Sequence, residues 1–266
     1  MEKQKDNEMS LIDHLQELRK RLVWVAIIFI ITLVIGFITV QPVINYFMKL
    51  PVAQNIEMNA FALSDGIRVY LQFAFLIALT VTLPFALFQV WRFVAPGLTK
   101  KERRATAWFI PIAFLLFLIG ISFSYFIIFP MIVVFLSNIS GTLGIQETYG
   151  ISQYFGFMFN MIIPFGLLFE LPLIVVFLTR IGVLNPRTLK RFRKLAYLIL
   201  VVVAASITPP ELVSEILVSV PLILLYEFSV WLSKITSVKR KKNLEKFHEE
   251  ENKDSGNEAD NKEKKE

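Results

Sequence analysis

The chain has no cysteine and only two histidines, His14 and His248, far apart in sequence. A disulfide framework and a thiolate metal site are therefore excluded, and no histidine cluster suggests a metal centre. No G-x-x-x-x-G-K-[ST] loop is present to hold a nucleotide. No H-E-x-x-H, G-x-S-x-G or pair of intramembrane aspartates is present to support hydrolysis. Without a nucleophile and base the sequence predicts no enzyme and calls for no cofactor. Acidic residues are missing from most apolar stretches, and most basic ones before the tail occur as short clusters beside them. The net charge of +6 is thus read as membrane orientation and not as a nucleic-acid footprint.

Apolar residues, in contrast, are abundant: 55% of 266 positions, with mean hydropathy +0.58. That composition points to the bilayer as solvent. Crossing about 30 Å of hydrocarbon takes about 20 helical residues. Runs of that order lie at 22–40, 67–91, 106–128 and 151–178, and two shorter runs follow at 195–207 and 212–232. The last two are separated by Thr208, Pro209, Pro210 and Glu211, a turn no helix continues through. At about 20 Å, the 195–207 segment stops short of a full crossing, so the bilayer thins there or water enters.

Lys and Arg set the orientation. They gather in the leader (Arg19, Lys20, Arg21), in one loop (Arg92, Lys100, Lys101, Arg103, Arg104) and in another (Arg180, Arg187, Lys190, Arg191, Arg193, Lys194). The alternate loops hold Lys49 alone. The expected fold is therefore an all-α polytopic membrane protein of six spans with both termini inside. Its parts are a leader at 1–21, a membrane domain at 22–232 and a charged tail at 233–266 with too little apolar surface to order itself.

Four groups of residues are candidates for function. Leu11, Leu15, Leu18 and Leu22 form an apolar stripe on the leader helix, which leaves Glu17 facing water. The plainer reading of Glu17 is an i, i+4 pair with Arg21, worth about 0.3 to 0.5 kcal/mol. The segment from Gln89 to Arg104 combines a Pro96-Gly97 turn, a capping box from Thr99 to Glu102, and the apolar Phe93 and Leu98 amid charge. Apolar side chains beside a carboxylate suit a peptide-docking surface. Glu170 sits roughly 12 Å from the inner end of its span, where an ionised carboxylate costs about 2.5 to 3.5 kcal/mol; Pro164 and Pro172 are expected to bend the helix around it. Thr208, Glu211 and Glu215 make the hairpin tip polar, fit either for a partner helix or for snorkelling to the interface.

Taken together, His14 to Arg21 before the first span, Gln89 to Arg104, Phe129-Pro130, Phe169 to Pro172 and Thr208 to Pro210 resemble the TatC family of the twin-arginine protein translocase. The resemblance runs from Leu11 to about Val238. It implies a glove-shaped six-helix bundle in a bacterial-type cytoplasmic membrane that recognises folded cargo by a signal peptide with two consecutive arginines. By the same resemblance Glu17 and Glu102 accept the arginine pair, with Arg19, Phe93, Leu98 and Arg103 completing the patch, and Glu170 lines the signal peptide's path. The polar tip of Thr208, Glu211 and Glu215 would meet single-span partners of the TatA or TatB type in an oligomeric complex driven by the proton gradient. Pro51 and Tyr125 are further family-like positions near the outer side. The sequence departs from the family where Glu211 replaces an Asp, and where Glu215 and Ala205 replace residues often Gln and Met. The competing reading is a proton-coupled secondary transporter using Glu170, which would normally need several midplane polar groups where the first four spans offer one.

Overall fold

A computed structural model of the chain describes residues 11–54, 58–97, 100–144, 147–208 and 211–263. Twelve α-helices run through them: α1 Leu11–Thr39, α2 Gln41–Met48, α3 Pro51–Gln54, α4 Asp65–Val94, α5 Lys100–Ala107, α6 Phe109–Phe123, α7 Phe129–Thr142, α8 Ile151–Leu168, α9 Leu171–Arg180, α10 Pro186–Arg191, α11 Arg193–Ile207 and α12 Leu212–Glu263. Five stretches among the described residues are long and apolar enough to cross a membrane: Gln16–Thr39, Asp65–Gly97, Phe109–Thr142, Ile151–Arg180 and Leu212–Arg240. The segment expected at 195–207 is helical as α11, but its 15 residues rise only about 22 Å. The fold is all-α and polytopic.

The chain divides into two compact units, Met1–Glu170 with Ala204–Val218, and Leu171–Val203 with Ser219–Glu266. In the first unit α4 is the centre: α1, α6 and α8 all pack on it. Side chains in lipid gain nothing hydrophobic by meeting one another, so close approach and interhelical hydrogen bonds must hold such helices together. Both occur. A Cβ on Gly36 of α1 would lie 3.1 Å from the Ala74 carbonyl of α4, and the hydroxyls of Thr32 and Thr82 join the same two helices at 3.0 Å. Between α6 and α8 the approach is tighter still: a Cβ on Gly120 would come within 2.8 Å of the Phe165 carbonyl, and one on Gly166 within 2.7 Å of the Phe117 ring.

The span expected at 106–128 is longer and less regular than its hydropathy suggests. It breaks at Trp108 and continues beyond residue 128 to Thr142 through a π-helical segment, Ser124–Ile128. The cause is local. Pro130 has no N–H to offer the preceding turn, and the Phe129 N–H bonds five residues back to Ser124. The extra residue turns Tyr125 inward. It is 4% exposed, edge-on to Phe47 at 5.1 Å and stacked on Phe129, in an aromatic core that includes Phe73, Tyr154, Phe155 and Phe159.

At the same end two loops meet. Met58–Asn59 pairs in parallel with Tyr149–Gly150. Glu147 there accepts hydrogen bonds from Tyr149 Oη at 2.6 Å and Ser137 Oγ at 2.8 Å, which hold its carboxyl below the usual range. The turn entering α4 is closed by Asp65, 2% exposed, whose Oδ2 accepts the backbone N–H of Phe61 and of Ala62, both at 2.9 Å. Removing that acceptor breaks two part-buried hydrogen bonds to a carboxylate. Asp65→Ala is expected to lower stability by about 1 to 3 kcal/mol, read as a fall in thermal unfolding midpoint in detergent. An unchanged midpoint would show that other acceptors replace Asp65.

The second unit is held by polar contacts onto α12. Thr179 and Ser233 hydroxyls meet at 2.7 Å, Tyr226 Oη donates to the Leu189 carbonyl at 2.9 Å, and Glu227 accepts from Arg193 Nη2 at 2.6 Å and Tyr197 Oη at 2.5 Å. α12 does not end at the membrane boundary. Its backbone stays helical to Glu263, through the tail that composition alone suggested would lack order. The tail cannot form a core, yet it is rich in Glu and Lys at i, i+4 spacing, such as Lys246 with Glu250 and Glu249 with Lys253, which supports a solvated helix.

Candidate functional site

One end of the first unit gathers the leader, the end of α4 and the start of α5. The leader is not a separate element, because α1 continues unbroken from Leu11 into the apolar stretch. Glu17 is open to water only in part, where the leucine stripe suggests full exposure. It is 28% exposed and paired with Arg21, the plainer of the two sequence readings. Leu18 and Leu22 of the stripe are exposed instead. The Arg21 guanidinium also reaches the Gln89 side-chain oxygen at 3.4 Å and the Gln89 carbonyl at 3.5 Å, long bonds that tie the start of α1 to the end of α4.

From there the connection passes to α5. Trp91 Nε1 donates to Thr106 Oγ1 at 3.0 Å, and the Arg103 guanidinium lies over the Trp91 ring at 5.8 Å. That cation–π contact holds an otherwise exposed charge. The helix carrying Glu102 is thus fastened to the helix that Arg21 joins to Glu17. Arg19 is exposed on α1, and Phe93 is half-buried in the last turn of α4. Leu98 and Thr99 lie outside the described residues, as do the side chains of Glu102 and Pro51; Glu102 is placed on α5 and Pro51 at the start of α3 by backbone alone.

Glu170 occupies the break between α8 and α9. The helix gives way at Phe169–Glu170, between the two prolines expected to bend it. Pro172 cannot donate to the Leu168 carbonyl, which is where the ladder opens. Glu170 is 5% exposed, and neither of its carboxyl oxygens meets a hydrogen-bond partner among the described residues. Thr208, buried at the end of α11, donates back to the Ala204 carbonyl at 3.1 Å, so it caps its own helix. Glu211 is exposed and Glu215 half-buried, while Pro209 and Pro210 lie outside the described residues.

Sequence reasoning missed Thr106 as the hydrogen-bond partner of Trp91, Arg21 as a link to Gln89, and the Arg193–Glu227–Tyr197 cluster. Arg21 stood in the leader and Glu227 in an apolar span, but a long-range partner leaves no trace in local spacing. Glu227 alone carried a signal, as an acidic residue deep in an apolar run.

Packed apolar helices with small-residue contacts, polar seams and, among the described residues, an unpartnered carboxyl at a helix break are the features of a multi-pass membrane protein, and none of them is catalytic machinery. Residues 13–221 match the family model for TatC, the Sec-independent protein translocase protein. A TatC of Halalkalibacterium halodurans is 50% identical over 246 residues, covering 92% of this chain and 97% of that protein. TatCy of Bacillus subtilis is 47% identical over 242 residues, covering 91% and 95%. A crystal structure of the twin-arginine translocase receptor TatC superposes with TM-score 0.75 at 31% identity, covering 84% of this chain and 99% of that one. The chain belongs to the TatC family, components of the Sec-independent protein translocase, and is not an enzyme.

Proposed function

We propose that this chain is the receptor subunit of its translocase, binding the twin-arginine signal peptide of folded cargo through Glu17 and Glu102. The observation that carries the reading is the run of contacts from Glu17 through Arg21 to Gln89, and from Trp91 to Thr106, which joins α1 to the end of α4 and to the α5 that follows it. A guanidinium presents a planar fork of donors that a carboxylate accepts in two places, and a lysine ammonium cannot reproduce it. Glu17 already holds one arginine. An incoming signal arginine takes Arg21's place at that carboxylate, while Arg21 keeps Gln89. Arg19, Phe93, Leu98 and Arg103 border the site, the apolar pair receiving residues that flank the arginines.

In this reading the 195–207 helix is a sixth, short span, and both termini lie in the cytoplasm of a bacterial-type cytoplasmic membrane. Glu170 faces the path of the bound signal peptide. Thr208, Glu211 and Glu215 meet single-span subunits of the TatA type, and TatB where present. The proton gradient drives transport, since the chain has no nucleotide loop.

Binding of a signal peptide containing Arg-Arg, against the same peptide with Lys-Lys, to the purified protein in detergent tests the proposal. Preference for Arg-Arg by at least tenfold is expected, from the loss of one or more charge-assisted bonds. Equal affinity for the two peptides would refute it.

A further inference from the structure

Across 171–203 and 219–244 the sequence holds eleven Lys or Arg and a single acid, Glu227. Glu227 is committed to Arg193 and Tyr197 within the unit. The two segments therefore carry a large excess of positive charge. Arg187, Lys190 and Arg191 stand at i, i+3 and i+4 on α10, which places them on one face, and all three are exposed, as is Lys194 at the start of α11.

Orientation in a membrane needs only that such charges exist in the right loop, in any conformation. Here the backbone that carries them is fixed. α10 is capped by Asn185, whose side chain accepts the Arg187 N–H at 3.2 Å, and it is pinned to α12 by Tyr226 Oη on the Leu189 carbonyl. The preceding turn contains Gly182 at φ +86°, where a Cβ would run into the Arg240 guanidinium, so the basic end of α12 is brought against the same turn. Apolar side chains are interleaved with the charges: Val183 is 70% exposed and Phe192 51%. The cluster lies where α9 and the apolar part of α12 end and α11 begins, at the ends of two stretches apolar enough to cross a membrane.

We propose that this face, formed by Arg187, Lys190, Arg191, Lys194 and Arg240, binds the phosphate of an anionic phospholipid headgroup, with Val183 and Phe192 entering the acyl layer beside it. Guanidinium groups carried on a fixed backbone suit a phosphate, and the apolar pair favours a lipid over a free anion or an acidic peptide. A bound lipid of this kind stabilises the folded protein by mass action.

The test uses the full chain purified in neutral detergent, with phosphatidylglycerol, phosphatidylcholine and soluble glycerol phosphate titrated separately while thermal unfolding is followed. Phosphatidylglycerol is expected to raise the unfolding midpoint saturably, and the other two not. Combined Arg187→Gln, Lys190→Gln and Arg191→Gln should raise its half-saturating concentration at least tenfold, while the charge-matched Lys246→Gln, Lys253→Gln and Lys262→Gln in the tail leaves it unchanged. If the triple variant on α10 fails to insert or fold, Arg191→Gln alone should still raise that concentration at least threefold. Equal response to phosphatidylcholine, saturation by glycerol phosphate alone, or equal loss in the tail variant would each overturn the proposal. None of these outcomes depends on the signal-peptide site.

Discussion

Replacing Glu17 or Glu102 with Ala is expected to weaken binding of an Arg-Arg signal peptide by about 10- to 100-fold each, and to stop export of a reporter carrying that signal. The size follows from one charge-assisted hydrogen-bonded pair, about 1.5 to 3 kcal/mol. The two substitutions differ in what else they disturb. Glu17 is paired with Arg21, which also reaches Gln89, so Glu17→Ala loosens the tie between α1 and α4, whereas Glu102 lies on a short helix fastened through Trp91 and Thr106. Glu17→Gln separates the effects, because the amide oxygen still accepts from Arg21 but the charge is gone. Peptide affinity should fall with Glu17→Gln nearly as far as with Glu17→Ala, with the unfolding midpoint unchanged. Should Glu17→Gln bind Arg-Arg normally, the carboxylate at 17 is a structural partner of Arg21 and nothing more.

The apolar runs at 67–91, 151–178 and 195–207 fall within a few residues of α4, of α8 with α9, and of α11, because length and hydropathy are local properties that the bilayer enforces. The interruptions were legible only in part. Pro164 and Pro172 announced the break at Glu170, since a missing N–H acts within one turn. Pro130 announced nothing so clear: whether a helix answers a missing donor with a kink or with an inserted residue depends on what its neighbours accept, and here Tyr125 had an aromatic core to enter. The site was legible as a set of residue types, not as an arrangement. Glu17 read more readily as paired with Arg21 than as free, and only the position of Gln89 beside Arg21 puts that pair at an interhelical joint. The tail is a different case. Apolar content decides whether a segment can form a core, and it does not decide whether a charged helix persists as an extension of the span before it.

Glu170→Leu is expected to make the protein more stable and less active. A buried carboxyl with no hydrogen-bond partner among the described residues costs about 1 to 3 kcal/mol relative to an apolar side chain of similar volume. Its removal should therefore raise the unfolding midpoint in detergent, against the usual direction of core substitutions. A residue kept at such a cost inside an apolar helix, at the point where the backbone ladder opens, fits a role in transport and not in folding. Export of an Arg-Arg reporter should drop at least tenfold in Glu170→Leu, while peptide binding at the Glu17 and Glu102 surface is unchanged. Glu170→Gln, which keeps a polar group at the break without the acid, should be intermediate in export. If Glu170→Leu destabilises the protein instead, then Glu170 has a structural partner and its part in transport loses its physical basis. A stabilised variant with full export would leave the carboxyl without a role in either.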